Sequence, residues 1–224
     1  DNAYQFFQRA LEIDERVTGP DSITVSSDYY NLAVVSYNMY QFSKSLLYLR
    51  KALAIRKKHY SSDDIGVVVL IKLLAGIYVK LNRPDRAEAL YSWAADKFER
   101  NPKTDILQLS TLYSDMASFF RERGYPGDYE KAKIYYQKTE QGMKQIYGDK
   151  PHPEMAAFYD EYALLYDNMG KYSEALSLLQ KALEIKQKTL KKAHPDIVQS
   201  YGSIGLIYYE LTGYDNALPY LNEA

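Results

Sequence analysis

The side chains here with the clearest claim to chemistry are two imidazoles. His152-Pro153-Glu154 recurs 42 residues later as His194-Pro195-Asp196. A histidine beside a carboxylate could transfer protons or supply part of a metal site. Spacing argues against both uses. Equivalent residues of stacked helical repeats lie about 10 Å apart, the ordinary helix-packing distance, which is too far for two imidazoles to share a metal. Each histidine instead precedes Pro and an acid, the composition of a helix start, so the expected role is capping and turn packing. The third histidine, His59, stands apart. Cysteine is absent, which removes disulfides, thiolate zinc sites and a Cys nucleophile. Gly124 and Gly127 lack the GK[ST] continuation of a phosphate loop. With no convergent acid, base and nucleophile, the expectation is a protein that is not an enzyme and has no cofactor and no metal.

The bulk composition narrows the partners. Against 28 basic residues stand 29 acidic ones, for a net charge of -1. That balance leaves no electrostatic footprint for nucleic acid or an anionic membrane. No apolar run approaches the roughly 20 residues of a membrane span, and no signal peptide opens the chain. Together with the missing cysteines this predicts a cytoplasmic location. The chain opens at Asp1 inside a helical pattern, as a fragment of a longer protein would.

The period that carries the histidines runs through the whole chain. Small residues Ala33, Ala75, Ala117, Ala163 and Gly205 are separated by 42, 42, 46 and 42 positions. A second small residue follows each: Ser45, Ala87, Ala132, Ala175 and Ala217, at 12, 12, 15, 12 and 12. The extra residues of the third unit fall in the turn-forming cluster Gly124–Asp128. Apolar residues around each small residue recur at i, i+3, i+4 and i+7, as in Tyr201, Ile204, Gly205 and Tyr208, which marks amphipathic helices. Two antiparallel helices approach closely only where side chains are short. The spacing predicts A helices near 22–39, 64–81, 105–123, 153–169 and 195–211. B helices are predicted near 2–17, 42–59, 84–100, 128–147 and 172–190, with a truncated one from 214. A fixed period of this length means an all-α solenoid of antiparallel helix pairs. The organisation expected is one solenoid over 1–224: a leading B helix (1–19), then repeats at about 20–61, 62–103, 104–151, 152–193 and 194–224.

The stretch His152-Pro-Glu, Tyr162-Ala-Leu-Leu-Tyr166, Gly170-Lys-Tyr-Ser-Glu-Ala175 and Leu178-Leu-Gln-Lys-Ala-Leu-Glu-Ile185 resembles the tetratricopeptide repeat, in the 42-residue form of kinesin light chains and nephrocystin-like proteins. The first three units lack the His-Pro opening, and Ser45 stands in place of the second Ala. The resemblance implies a right-handed superhelix with A helices lining a concave face, and a non-catalytic scaffold that binds protein or peptide segments there. Relative to the shorter 34-residue form, each helix gains about one turn, roughly 6 Å.

In this register the inward-facing positions form a candidate groove. The first A helix offers Tyr30, Asn31, Tyr37 and Asn38, and the second offers Lys72 and Lys80. The third offers Ser114, Asp115 and Arg121, the fourth Asp160, Glu161, Asp167 and Asn168, and the fifth Tyr209. The early part is aromatic and amide-bearing, and the later part is acidic. Carboxylates on adjacent helices repel, which a basic segment would relieve. By the resemblance, Asn31 would bond the backbone of an extended peptide, since its amide both donates and accepts. A clamp for a terminal carboxylate is not expected, because Gly76 stands where an Asn is needed beside Lys72. The alternative is a structural or regulatory arm of a larger multidomain signalling protein, such as an ATPase or protease. Such an arm would make intramolecular contacts or self-associate through uncapped ends.

Overall fold

The computed structural model describes residues 2–192 and 194–224, the side chain of Thr212 apart. Among these residues there are eleven helices and no strand. They are α1 (Asn2–Thr18), α2 (Ile23–Asn38), α3 (Phe42–His59), α4 (Ile65–Lys80), α5 (Pro84–Arg100), α6 (Ile106–Arg123), α7 (Asp128–Tyr147), α8 (Pro153–Asn168), α9 (Tyr172–Thr189), α10 (Pro195–Thr212) and α11 (Tyr214–Glu223). Every predicted helix is present, with each end within one residue of the expected position.

The A helices begin where side chains satisfy orphan backbone donors. Ser22 caps α2 and Asp64 caps α4, accepting from the amides of Val25 and Val67. His152 and His194 cap α8 and α10, their Nδ1 atoms accepting from the amides of Glu154 and Asp196. The His152 ring also stacks on Tyr147, with centroids 3.8 Å apart. The repeated His-Pro-acid motif is thus a capping device.

The A-to-B turns need a left-handed residue. Gly124 and Gly170 supply it without strain, while Tyr40 (φ 58°) and Asn82 (φ 54°) take a positive φ at the same register position in the first two repeats, and the last pair turns one residue later at Gly213 (φ 85°, ψ −172°). The inserted turn of the third repeat closes on a bidentate pair. Arg123 donates to both oxygens of buried Asp128 at 2.7 and 2.8 Å, and Tyr125 N donates to the same carboxylate. Those hydrogen bonds, chiefly that of Arg123, hold the Asp128 pKa below its ordinary value.

The chain divides into two compact units, Asp1–Asp105 and Ile106–Ala224. In the first, each helix of α1 to α5 packs on the next. Its core holds Val25, Tyr29, Ala33, Leu49, Ala52, Leu70 and Leu74. The two small positions of a repeat meet here: the buried Ser45 hydroxyl donates to the Ala33 carbonyl at 2.7 Å, and the Ser26 hydroxyl to that of Ala52 at 2.9 Å. Serine thus keeps the close approach of an alanine and ties one helix to the next.

In the second unit, α6 with α7, α8 with α9 and α10 with α11 form antiparallel pairs, and α9 packs on α10. Its core is richer in aromatics. Tyr136, fully buried, stacks on Tyr162 with centroids 4.9 Å apart, and Phe120 stacks on Tyr135. Tyr214, by contrast, is largely exposed. It opens α11 directly after Gly213, before that helix reaches its partner.

Candidate interaction surface

The A-helix positions singled out by the repeat register fall in both units. In the first unit, Tyr30 and Val34 of α2 are exposed, Asn31 is half-buried and Asn38 is exposed at the helix end. Tyr37 sits partly against the core, its ring edge-on to Phe42 at 5.3 Å. Lys72 is half-buried and Lys80 exposed on α4. These side chains are aromatic, aliphatic and amide-bearing, with two lysines beside them.

In the second unit, α8 and α10 enclose a cleft of about 260 Å³. From α8 come Asp160, Glu161, Leu164 and Asp167; from α10, Gln199, Ser200, Ser203, Leu206 and Ile207; and from α9, Leu179 and Lys186. The structure therefore gathers three of the predicted acidic residues around one opening. Leu164 and Leu206, at the same repeat offset on consecutive A helices, expose apolar surface into it. Ser114 and Asp115 are half-buried on α6, Asn168 is exposed at the end of α8, and Tyr209 is exposed on α10 outside the cleft lining.

The electrostatics differ from the expectation of a bare acidic groove. Lys186, its side chain only 10% exposed, donates to Asp160 Oδ2 at 2.6 Å and to Ser200 Oγ at 2.7 Å, with the Asp196 carbonyl at 3.4 Å. One ammonium thus bridges α8, α9 and α10 and uses all three of its donors. Burial is the largest influence on Asp160 and raises its pKa above 3.8 although Lys186 opposes it. Arg121, also nearly buried, donates to Glu161 Oε2 at 3.1 Å and to the Tyr136 hydroxyl at 3.3 Å. The like-charge repulsion expected between carboxylates is therefore relieved inside the protein at Asp160 and Glu161. Asp167 alone of the cleft acids has no side-chain partner among the described residues. Pairing leaves the opening with about one uncompensated negative charge, set beside two leucines.

Lys186 lies on a B helix, outside the A-helix positions that the repeat pattern singles out. Its signal was in the register. Counting eleven residues beyond the second small residue gives Arg56, Phe98, Met143 and Lys186, so a cation twice occupies a place otherwise apolar. In both repeats it meets polar atoms at the start of the next A helix: Arg56 pairs with Asp64 at 3.3 Å, and Lys186 with Ser200. Among the described residues, no group of three or more His, Asp or Glu side chains could hold a metal ion. No helix there is long and apolar enough to cross a membrane.

Antiparallel helix pairs in regular succession, with small residues at their crossings, define a helix-pair repeat protein. The tetratricopeptide repeat model matches residues 1–58, 108–188 and 154–224. The chain belongs to the tetratricopeptide repeat family. The unmatched 59–107 segment holds α4 and α5, where Gly76 and the left-handed Asn82 depart from the later repeats. No curated protein matches the sequence. Among solved structures, BtubC (BKLC) from P. vanneervenii is 20% identical, with 99% of this chain and 87% of that one aligned at a TM-score of 0.81. A Podosopora anserina protein of the kinesin light chain type, with nearly identical TPR-like repeats, is 19% identical over 88% and 92% of the two chains, at 0.73. The Rap conjugation gene regulator of plasmid pLS20, solved with the Phr* peptide, is 11% identical over 90% and 53%, at 0.65. At these identities the likeness is one of fold. Repeats of this family are in general non-catalytic protein-interaction scaffolds.

Proposed function

We propose that this chain binds a protein or peptide segment along the inner faces of its A helices, with the α8–α10 cleft as the anchoring subsite. The observation that carries the reading is the cleft's composition: Leu164 and Leu206 exposed beside Asp167, whose charge no described residue neutralises. The complementary segment presents an apolar side chain next to one lysine or arginine. Burial of the apolar side chain supplies affinity and the charge supplies selectivity. Within the second unit, Ser114, Asp115, Asn168 and Tyr209 offer further contacts and Arg121 holds Glu161 in place; Tyr30, Asn31, Tyr37, Asn38, Lys72 and Lys80 form a separate candidate surface on the first unit. Peptide capture by the pLS20 Rap regulator is in keeping with such a role for a fold of this kind.

A peptide array probed with wild type, Asp167→Asn and Leu206→Asp tests the reading. Wild type selects apolar-basic pairs, Asp167→Asn loses the preference for the basic residue, and Leu206→Asp loses capture. Identical arrays for all three proteins would contradict it. A second reading, association with a further helix or a second copy, rests on α1. There Phe6, Ile13 and Val17 form an exposed apolar stripe at helical spacing. A sedimentation mass that rises with concentration and falls back in Phe6→Glu would support that reading.

A further inference from the structure

Away from the A-helix inner faces, three side chains of the first unit converge without a counter-charge. Arg50 of α3 donates through Nη2 to the Tyr78 hydroxyl oxygen at 2.5 Å. Arg86, in the first turn of α5, also hydrogen-bonds that oxygen. The two guanidinium carbons lie 5.9 and 5.6 Å from the Tyr78 ring centroid. Both arginines are exposed, the Tyr78 ring between them is buried, and neither guanidinium has a carboxylate partner among the described residues. Two like charges are therefore held on one atom.

Packing explains only part of this. A cation just before the second small residue, over the aromatic of the preceding A helix, recurs as Lys131 over Phe120 at 4.8 Å. That pairing is an ordinary cation–π contact. The hydroxyl and the second guanidinium are particular to this repeat. The place of Tyr78 is taken by Ser36, Phe120, Tyr166 and Tyr208 in the other units, and that of Arg50 by Ser92, Gln137, Gln180 and Asn222. A phenol oxygen accepts at most two hydrogen bonds. With both taken by guanidiniums, its own proton is left to donate to a third group. Burial by itself would raise the Tyr78 pKa, yet the two arginines bring it below 10.0.

We propose that Arg50, Arg86 and the Tyr78 hydroxyl form a binding site for a phosphate monoester. Two fixed positive charges match a phosphate dianion, and planar guanidiniums match its oxygens in pairs, with the phenol proton as a further donor. A single carboxylate would leave one charge unanswered. The phosphoryl group can be free or carried on a partner's side chain, and the experiment separates the two.

The test is an NMR titration of the tyrosine-labelled protein with inorganic phosphate at about pH 7.5, where the dianion predominates. Sodium chloride at matched ionic strength is the control. A phosphoserine peptide and its unphosphorylated twin form the second arm. Expected is a saturable shift of the Tyr78 ring signals, weakened about tenfold in Arg50→Gln or Arg86→Gln, and less in Tyr78→Phe, which keeps the ring. Tighter binding of the phosphopeptide assigns the group to a partner chain; a response to inorganic phosphate alone assigns it to a small molecule. Circular dichroism confirms that the variants are folded, and the exposed arginines can be lost without opening the core. A chloride control that reproduces the shift, no saturation, or equal affinity in the folded arginine variants would overturn the proposal.

Discussion

The two units place a cation at the same register position and use it differently. In the first, Arg56 meets Asp64 with about a quarter of each side chain open to water (28% and 29%), spreads over Tyr60 and covers Gly66. In the second, Lys186 is enclosed and wired to three helices. A partly exposed pair is screened and contributes less, whereas an enclosed ammonium must keep its partners. The repeat scaffold thus tolerates a charge at a core position on two terms, and the enclosed version also sets the electrostatics of a neighbouring cleft.

The largest effect that would break this comparison comes from paired substitutions at that register. Lys186→Met removes the partner of Asp160, whose side chain is 33% exposed, while Ser200 keeps its bond to the Asp196 carbonyl; the change is expected to destabilise by roughly 2 kcal/mol, against under about 1 kcal/mol for Arg56→Met, both read by urea unfolding. Equal losses would mean the two cations are equivalent after all.

A smaller effect isolates a charge the first unit handles badly. Asp28 is buried on α2, with Oδ2 lacking a hydrogen-bond partner among the described residues and Asp14 of α1 as its neighbour. Burial, then the hydrogen bond and charge of Asp14, lift its pKa from 3.8 to about 6. A carboxyl whose folded value exceeds its unfolded one resists ionisation in the fold. Its penalty is absent below the unfolded value, grows as pH rises through 3.8 to about 6, and is complete above that. Asp28→Asn is therefore expected to stabilise the protein by about 1–2 kcal/mol at pH 7 and by little at pH 4, measured as thermal midpoints across that range. A gain that does not change with pH would point to packing instead.

The smallest effect concerns turns. Tyr40 holds φ 58° where later repeats use glycine. Tyr40→Gly should raise stability by about 0.5 kcal/mol, and the same change at Asn82 by less, since asparagine tolerates the left-handed region better.

Much of this was legible in the sequence, because period and small-residue spacing are one-dimensional records of helix crossings. The eleven helices, the capping histidines and the inserted turn at Gly124–Asp128 all follow from them. The acidic grouping of Asp160, Glu161 and Asp167 was legible too, since register fixes which A-helix residues look inward. Its compensation was not. Lys186 reaches the cleft from a B helix, and Arg121 reaches Glu161 from the preceding repeat, 40 residues away. Such reach depends on where long flexible side chains end, which periodicity does not encode. Ser45 reads as a departure from an alanine until its hydroxyl is seen on the Ala33 carbonyl.

The central claim is that the second unit's cleft, with its apolar pair and single free charge, anchors a partner segment. Methyl NMR of leucine-labelled protein titrated with an apolar-basic peptide selected on the array tests it most directly. The account predicts saturable shifts at Leu164 and Leu206, with affinity falling several-fold in Asp167→Asn and little further with added salt in that variant. Shifts confined to leucines of α3 and α4, with Leu164 and Leu206 unmoved, would contradict it.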